Sequence, residues 1–261
     1  MNIKLNGRHA LVCGASRGIG RACAEALAEL GAAVTVVARD AEKLRQVASQ
    51  LPAEADQTHG FLAVDFADPD QANEAVSGYL EDHPAQILIN NTGGPPPGPI
   101  VDAEPDAFLA GFQAHLLGNQ ANVRAALPGM RRAGYGRIIN IVSTSVREPI
   151  AGLGVSNTIR AAVAAWAKTL AGELGPEGFT VNNVLPGFTA TERLDSLIAG
   201  NAAKAGKSED EIAAGMRASI PLGRFADASE IAAVAAFLAT SAAGYINGVS
   251  IPVDGGRTRS L

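Results

Sequence analysis

Short, almost wholly apolar runs alternate along this chain with longer mixed segments of helix-forming composition. The apolar runs fall at residues 10–12, 32–38, 61–65, 87–90, 137–143, 180–185 and 249–253. Dense in valine, isoleucine and leucine, they have the pattern of strands covered on both faces. Between them, helices are expected over 21–30, 41–50, a segment opened by Asp68-Pro69-Asp70, 156–174 and 228–240. Proline in a first turn suits the start at Asp68, because its missing N–H has no partner there anyway. Residues 105–117 and 121–132 form either two helices or one long helix interrupted at Gly118. Residues 188–220 are a long polar excursion. Strand alternating this regularly with helix implies parallel strands joined by right-handed crossovers, hence an α/β doubly wound sheet with helices on both faces. No repeat or low-complexity linker divides the sequence, so a single domain is expected over 1–261.

The first apolar run leads into Cys13-Gly14-Ala15-Ser16-Arg17-Gly18-Ile19-Gly20. Strand, glycine-rich turn and helix, in that order, make a site for a phosphate diester. Glycine permits a tight turn and close approach of a ligand, and the helix N-terminus offers unpaired N–H groups and partial positive charge. The spacing is Gly-x-x-x-Gly-x-Gly, which differs from the Gly-x-Gly-x-x-Gly dinucleotide fingerprint.

Composition removes several other functions. A net charge of −5 and a pI of about 5.4 argue against a nucleic-acid partner. Cys13 and Cys23 are the only cysteines and no Cys/His cluster accompanies them, so neither a disulfide framework nor a metal site is expected. The longest apolar run, 231–239, is too short to cross a bilayer, and no basic-then-apolar leader precedes the first strand. A cytoplasmic protein with no membrane partner is expected.

Taken together, the motifs resemble the short-chain dehydrogenase/reductase family along essentially the whole chain. The carriers are the glycine turn, Asn90-Asn91-Thr92-Gly93 where the family has Asn-Asn-Ala-Gly, residues 137–143, and Pro186-Gly187-Phe188-Thr189-Ala190-Thr191. The tail from Pro221-Leu222-Gly223-Arg224 to Asp254-Gly255-Gly256 resembles the 3-oxoacyl-[acyl-carrier-protein] reductase branch. The resemblance implies a Rossmann-like fold and an NAD(P) coenzyme. Gly14, Ser16, Gly18, Ile19 and Gly20 would take the phosphates, Asp65 the adenine, Asn91 and Gly93 the end of the fourth strand, and Pro186, Gly187, Thr189 and Thr191 the nicotinamide end. An acid at the end of the second strand would select NAD through the ribose 2′-OH, whereas guanidinium groups pair with the 2′-phosphate of NADP. That end is Ala38-Arg39, and Arg17 lies inside the turn, which favours NADP. In the alternative reading Arg39 is solvated and Asp40 takes the ribose of NAD.

The catalytic residues depart from the family. Counting along the motif puts the family's serine at Ser143, its tyrosine thirteen residues later at Ser156, its lysine at Arg160, and its asparagine at His115. No tyrosine occurs between Gly136 and Gly244. A phenol with pKa about 10 can be tuned to donate a proton, whereas an aliphatic hydroxyl is a poor acid and an arginine keeps its charge. Imidazole, titrating near neutrality, could head a relay through Ser156 or water. In the plainer reading His115 replaces the asparagine structurally, and Ser156 serves as a helix N-cap.

Two functions follow. One is an NADP-dependent oxidoreductase acting on a carbonyl or alcohol, 3-oxoacyl-type or another ketone, with a substituted acid. The other is an NAD(P)-binding protein without turnover, a redox sensor or an inactive subunit. The excursion at 188–220 would be a substrate lid, with Gly200, Gly206 and Gly215 suggesting mobility. Pro95–Pro97, Leu153, Phe188 and Leu194 suggest an apolar substrate. The small-residue face at Ala161, Ala165 and Gly172 either serves the homotetramer that the resemblance implies or packs on the sheet. His9, His59 and His83 are expected to be solvated.

Overall fold

The structure, a computed structural model, describes residues 1–54, 57–66 and 68–260. Among these residues seven parallel strands form one sheet: β1 (His9–Cys13), β2 (Ala33–Ala38), β3 (Gly60–Ala63), β4 (Ile87–Asn90), β5 (Arg137–Ile141), β6 (Thr180–Pro186) and β7 (Ser250–Val253). Their order is β3-β2-β1-β4-β5-β6-β7. The helices are α1 (Gly18–Glu29), α2 (Ala41–Gln50), α3 (Pro69–Asp82), α4 (Pro105–Phe112), α5 (Gly118–Ala133), α6 (Gly154–Leu174), α7 (Glu192–Ala205), α8 (Glu209–Ala218) and α9 (Ala228–Ala239).

Alternation along the strands builds two cores. Ala10, Val12, Val34, Val36, Ile87 and Ile89 point to one face and pack with α1, α2 and α9 through residues such as Leu27, Leu44 and Ile231. Leu11, Cys13, Leu88, Ile138 and Val181 point to the other, against α3, α5 and α6 through Val76, Met130 and Leu170. This is the doubly wound arrangement expected of strands with no polar face. Both cysteine thiols are fully buried, one on each side of the sheet, and burial pushes their pKa values up to about 12.

Several boundaries differ from the expectations. Residues 113–117 form a π-helical turn (Gln113–Leu117) that joins α4 to α5 in one continuous run, so the interruption falls just before Gly118. The helix expected from Ser156 begins at Gly154 with Leu153 as N-cap, so Ser156 lies inside the first turn and caps nothing. Ser143 lies past the end of β5, where its hydroxyl accepts from the Ser145 N–H at the start of a short 3-10 turn (Thr144–Val146). The polar excursion is α7 and α8. Gly200 and Gly215 are helical there, and only Gly206, at φ +63°, ends a helix in the left-handed region. His9 is not solvated: it is half-buried, hydrogen-bonds Thr35 at 2.8 Å, and burial lowers its pKa. His59 bonds the Val34 N–H and the Pro52 carbonyl, and His83 stacks on Tyr79.

Side-chain amides form a ladder across the sheet. Asn122 of α5 donates to Asn90 at 3.2 Å, Asn90 to Asn140 at 2.9 Å, Asn140 to Asn183 at 2.9 Å, and Asn183 to the Ser250 hydroxyl at 3.0 Å. Asn90, Asn140, Asn183 and Ser250 are register partners on four successive strands. Asn140→Ala leaves the Asn90 donor and the Asn183 acceptor buried without a partner. It is expected to cost about 2–5 kcal/mol by urea unfolding. A loss below about 1 kcal/mol would show that the ladder contributes little.

Candidate functional site

The strand order places β1 and β4 side by side while the chain leaves them for opposite edges, and ligands of open α/β sheets bind in the crevice at such a switch point. The glycine turn follows β1 here, and Asn91 follows β4. The two approach so closely that neither Gly14 nor Gly20 has room for a side chain. A Cβ on Gly14 would sit 2.4 Å from the Asn91 carbonyl oxygen, and one on Gly20 would sit 2.2 Å from the Gly14 carbonyl oxygen. Asn91 Nδ2 donates to the carbonyls of Cys13 and Gly14 at 3.4 and 3.3 Å, locking the turn.

α1 starts without a cap. Its N-cap is Arg17, no side chain accepts from its first turn, and that turn holds no acid. α2 and α3, by contrast, are capped by Asp40 and Asp68, each accepting a backbone N–H at 3.1 Å. Uncapped N–H groups beside Gly18, Ile19 and Gly20, with Ser16 at the turn, suit the phosphates of a dinucleotide. At the end of β2, Asp40 caps α2, and the exposed Arg39 guanidinium beside it has no partner among the described residues. Asp65 is exposed just past β3. On the far wall Pro186 ends β6, Gly187 donates to the Val253 carbonyl at 3.0 Å, and Thr191 lies against Gly18. The Thr189 hydroxyl donates to Gly187 at 3.2 Å and that of Thr191 to Thr189 at 3.3 Å. Arg17 forms an exposed ion pair with Glu192, joining the glycine turn to the start of α7.

A second group lies deeper. His115 is buried in the π-helical turn, an element that recurs at functional sites. Its Nδ1 is 2.5 Å from the Thr92 hydroxyl. Its pKa is lowered to about 3, by burial first and then by the charges of Arg160 and Arg193, against a weaker opposing contact with the Gly93 carbonyl. His115 is therefore neutral at physiological pH, which corrects the expectation of an imidazole titrating near 7. Arg160 is buried one turn beyond Ser156 on the same face of α6. It donates to the Ile141 carbonyl at 3.0 Å and the Thr92 carbonyl at 3.4 Å. Burial, and secondarily Arg193, lowers its pKa to about 10, so it stays charged. Ser156 is a buried residue whose hydroxyl has no hydrogen-bond partner among the described residues.

Two residues of this group were not singled out from sequence. Thr92 replaces the alanine of the family motif, and that departure, paired with histidine for asparagine at 115, was a readable signal. Arg193, two residues past Thr191, carried none. Phe188 and Leu194 pack with Ile198, Ala213 and Phe225 in a small apolar cluster built around α7 and α8, with Phe188 only partly buried. Among the described residues no helix is long and apolar enough to span a membrane, and no cluster of His, Cys, Asp and Glu could hold a metal ion.

Residues 14–258 match the family model described as enoyl-(acyl carrier protein) reductase. The chain is 34% identical over 256 residues to the 3-oxoacyl-[acyl-carrier-protein] reductase FabG of Pseudomonas aeruginosa, covering 97% of this chain and 98% of that one. It is 35% identical over 254 residues to the short-chain reductase protein NovJ of Streptomyces niveus, covering 95% and 93%. Among solved structures, an L-sorbose reductase from Gluconobacter frateurii complexed with NADPH and L-sorbose superimposes with a TM-score of 0.93, at 29% identity over the full length of both chains.

The ring nitrogens of His115 are expected to keep the 15N chemical shifts of neutral imidazole from pH 8 down to pH 5, because the folded-state pKa of about 3 lies below that window. A titration midpoint near 6.5 would contradict the burial and charge described here.

Proposed function

The chain belongs to the short-chain dehydrogenase/reductase family, and from that membership we propose an NADP-dependent oxidoreductase that interconverts a small-molecule carbonyl compound and its alcohol without the family's tyrosine and lysine. The observation that carries this reading is the closed contact of Gly14 and Gly20 with Asn91 beside an uncapped α1, a cradle that a single Cβ would fill. The relatives are reductases and dehydrogenases, and structural neighbours hold NADPH or NADP. A coenzyme-binding protein without turnover is therefore not favoured.

In this reading Gly14, Ser16, Gly18, Ile19 and Gly20 receive the diphosphate. Asp65 receives the adenine, Asn91 and Gly93 back the ribose, and Pro186, Gly187, Thr189 and Thr191 hold the nicotinamide end. Arg39 and Arg17 meet the 2′-phosphate. The Arg17–Glu192 pair is exposed on both sides and holds little energy, so Arg17 can leave it. When bound, the coenzyme supplies or accepts the hydride.

The remaining chemistry belongs to side chains of this chain. Ser143 already accepts a backbone N–H, so its own proton is free to be donated to the substrate oxygen. Ser156 presents a second, uncommitted hydroxyl. Arg160 opposes negative charge on that oxygen but cannot release a proton at neutral pH. The proton that completes the alcohol comes from water through the Ser156 hydroxyl, while the neutral His115, held to the Thr92 hydroxyl, acts only as a hydrogen-bonding group. The substrate is a 3-oxoacyl-type or other ketone with an apolar body, a reading that rests on Pro95, Pro96, Pro97 and Leu153.

Assembly as a homotetramer is supported by apolar surface left open on the single chain. Ala161, Ala165 and Gly172 are exposed on α6 rather than packed on the sheet, and Leu109, Phe112 and Leu117 are exposed on the neighbouring α4 run. A reducing cytoplasm fits the two free thiols.

Fluorescence titration is expected to show NADPH binding more tightly than NADH. Arg39→Ala should weaken NADPH about 10-fold and leave NADH nearly unchanged, as loss of one charge-assisted contact implies. Absence of nucleotide binding would defeat the reading. With a ketone substrate identified from a panel, Ser143→Ala should lower kcat by about 10²–10³-fold. The pH dependence of kcat/KM between 5 and 9 should have the same shape in the unaltered chain and in His115→Asn. A limb near pH 6.5 lost in the variant would instead make His115 the general acid.

A further inference from the structure

Arg160 and Arg193 carry more positive charge into the cleft than the protein answers. Both flank Gly94: a Cβ placed there would lie 2.9 Å from Arg193 Nη2 and 3.4 Å from Arg160 Nη2. Neither guanidinium forms an ion pair with a described residue. Glu192, the acid next to Arg193 in sequence, is turned away to Arg17. What Arg160 does have are two backbone carbonyls, and Arg193 reaches only the Gly94 carbonyl at 3.5 Å. Carbonyl dipoles satisfy N–H groups, but they do not neutralise a buried cation. The neighbouring His115 adds no charge of either sign at physiological pH.

We propose that Arg160 and Arg193 are a recognition site for a carboxylate of the substrate, so that the enzyme acts on oxo acids or hydroxy acids. A carboxylate bound between them accepts N–H donors from both forks and supplies the missing negative charge. The exposed Arg193 meets the anion at the cleft mouth, and the buried Arg160 fixes its inner end. Because Arg160 lies one turn from Ser156, an anion held there brings a nearby carbonyl close to the Ser156 hydroxyl. The substrate then has two ends, a charged one at the arginines and an apolar body toward Pro96 and Leu153.

This rests on the oxidoreductase reading, and its test separates the two. Benzoate and benzamide, alike in shape and different in charge, are titrated against the chain saturated with NADPH, with quenching of bound-coenzyme fluorescence and calorimetry as readouts. Benzoate is expected to bind at least 10-fold more tightly than benzamide. Arg193→Gln should abolish that preference and Arg193→Lys should restore much of it, with the NADPH dissociation constant changed less than about 2-fold in both. Equal binding of the two probes, or a preference that survives Arg193→Gln, overturns the proposal and leaves the oxidoreductase reading standing. A 10-fold or greater loss of NADPH affinity in Arg193→Gln also overturns it, because the charges would then serve the coenzyme phosphates. Failure of NADPH to bind the unaltered chain overturns both.

Discussion

The positions of everything in the cleft depend on four strands keeping one register, and the asparagine ladder is the interaction that enforces it. Burial of valine and isoleucine is non-directional and favours a register only through the fit of side chains in the two cores. The amide bonds from Asn90 through Asn140 and Asn183 to Ser250 add a directional constraint on it. Two of its members sit beside functional positions. Asn90 precedes the Asn91 that locks the glycine turn, and Asn140 precedes the Ile141 whose carbonyl holds Arg160. The ladder thus ties the coenzyme half of the crevice to the half where chemistry takes place.

The two halves have different electrostatic designs. The coenzyme half relies on backbone: a helix start left uncapped, and glycines forced by close approach. The other half relies on fixed positive charge around neutral groups. A tyrosine–lysine pair works because a cation lowers the pKa of an acid that can still ionise. Here the cation is a guanidinium, and the groups near it are hydroxyls and an imidazole whose pKa burial, together with the same charge, has lowered to about 3. That arrangement orients and stabilises an anion well and stores no proton of its own.

Much of the fold was legible because its signals are local. The alternation of apolar runs gave the strands to within a few residues, α2 and β4 fell at their expected limits, and the cap at Asp68 was marked by the proline after it. What escaped notice depends on contacts far apart in sequence. Nothing near residue 115 says that the chain buries it or that the charges of two arginines, one from α6 and one from α7, bear on it, and its lowered pKa follows from that burial first and those charges second. The plainer reading of Ser156 as a cap fails because the helix begins two residues earlier, at Gly154, and such boundaries are the least local part of a helix signal. The amide ladder was invisible because three asparagines in three separate strands look like three unrelated polar residues until the register is known.

The wide turn at Gln113–Leu117 links these observations. A π-helical turn spends one residue more than an α-helical turn on the same rotation. His115 lies within that turn and Asn122 about two turns further along the same continuous run, the first bonded to Thr92 and the second anchoring the ladder. Taking one residue out of the turn would rewind the run by about 100° per residue, and either the imidazole or the amide would face the wrong way. The spare residue acts as a vernier between scaffold and chemistry, and through it a change in helix phase becomes a change in what the cleft presents.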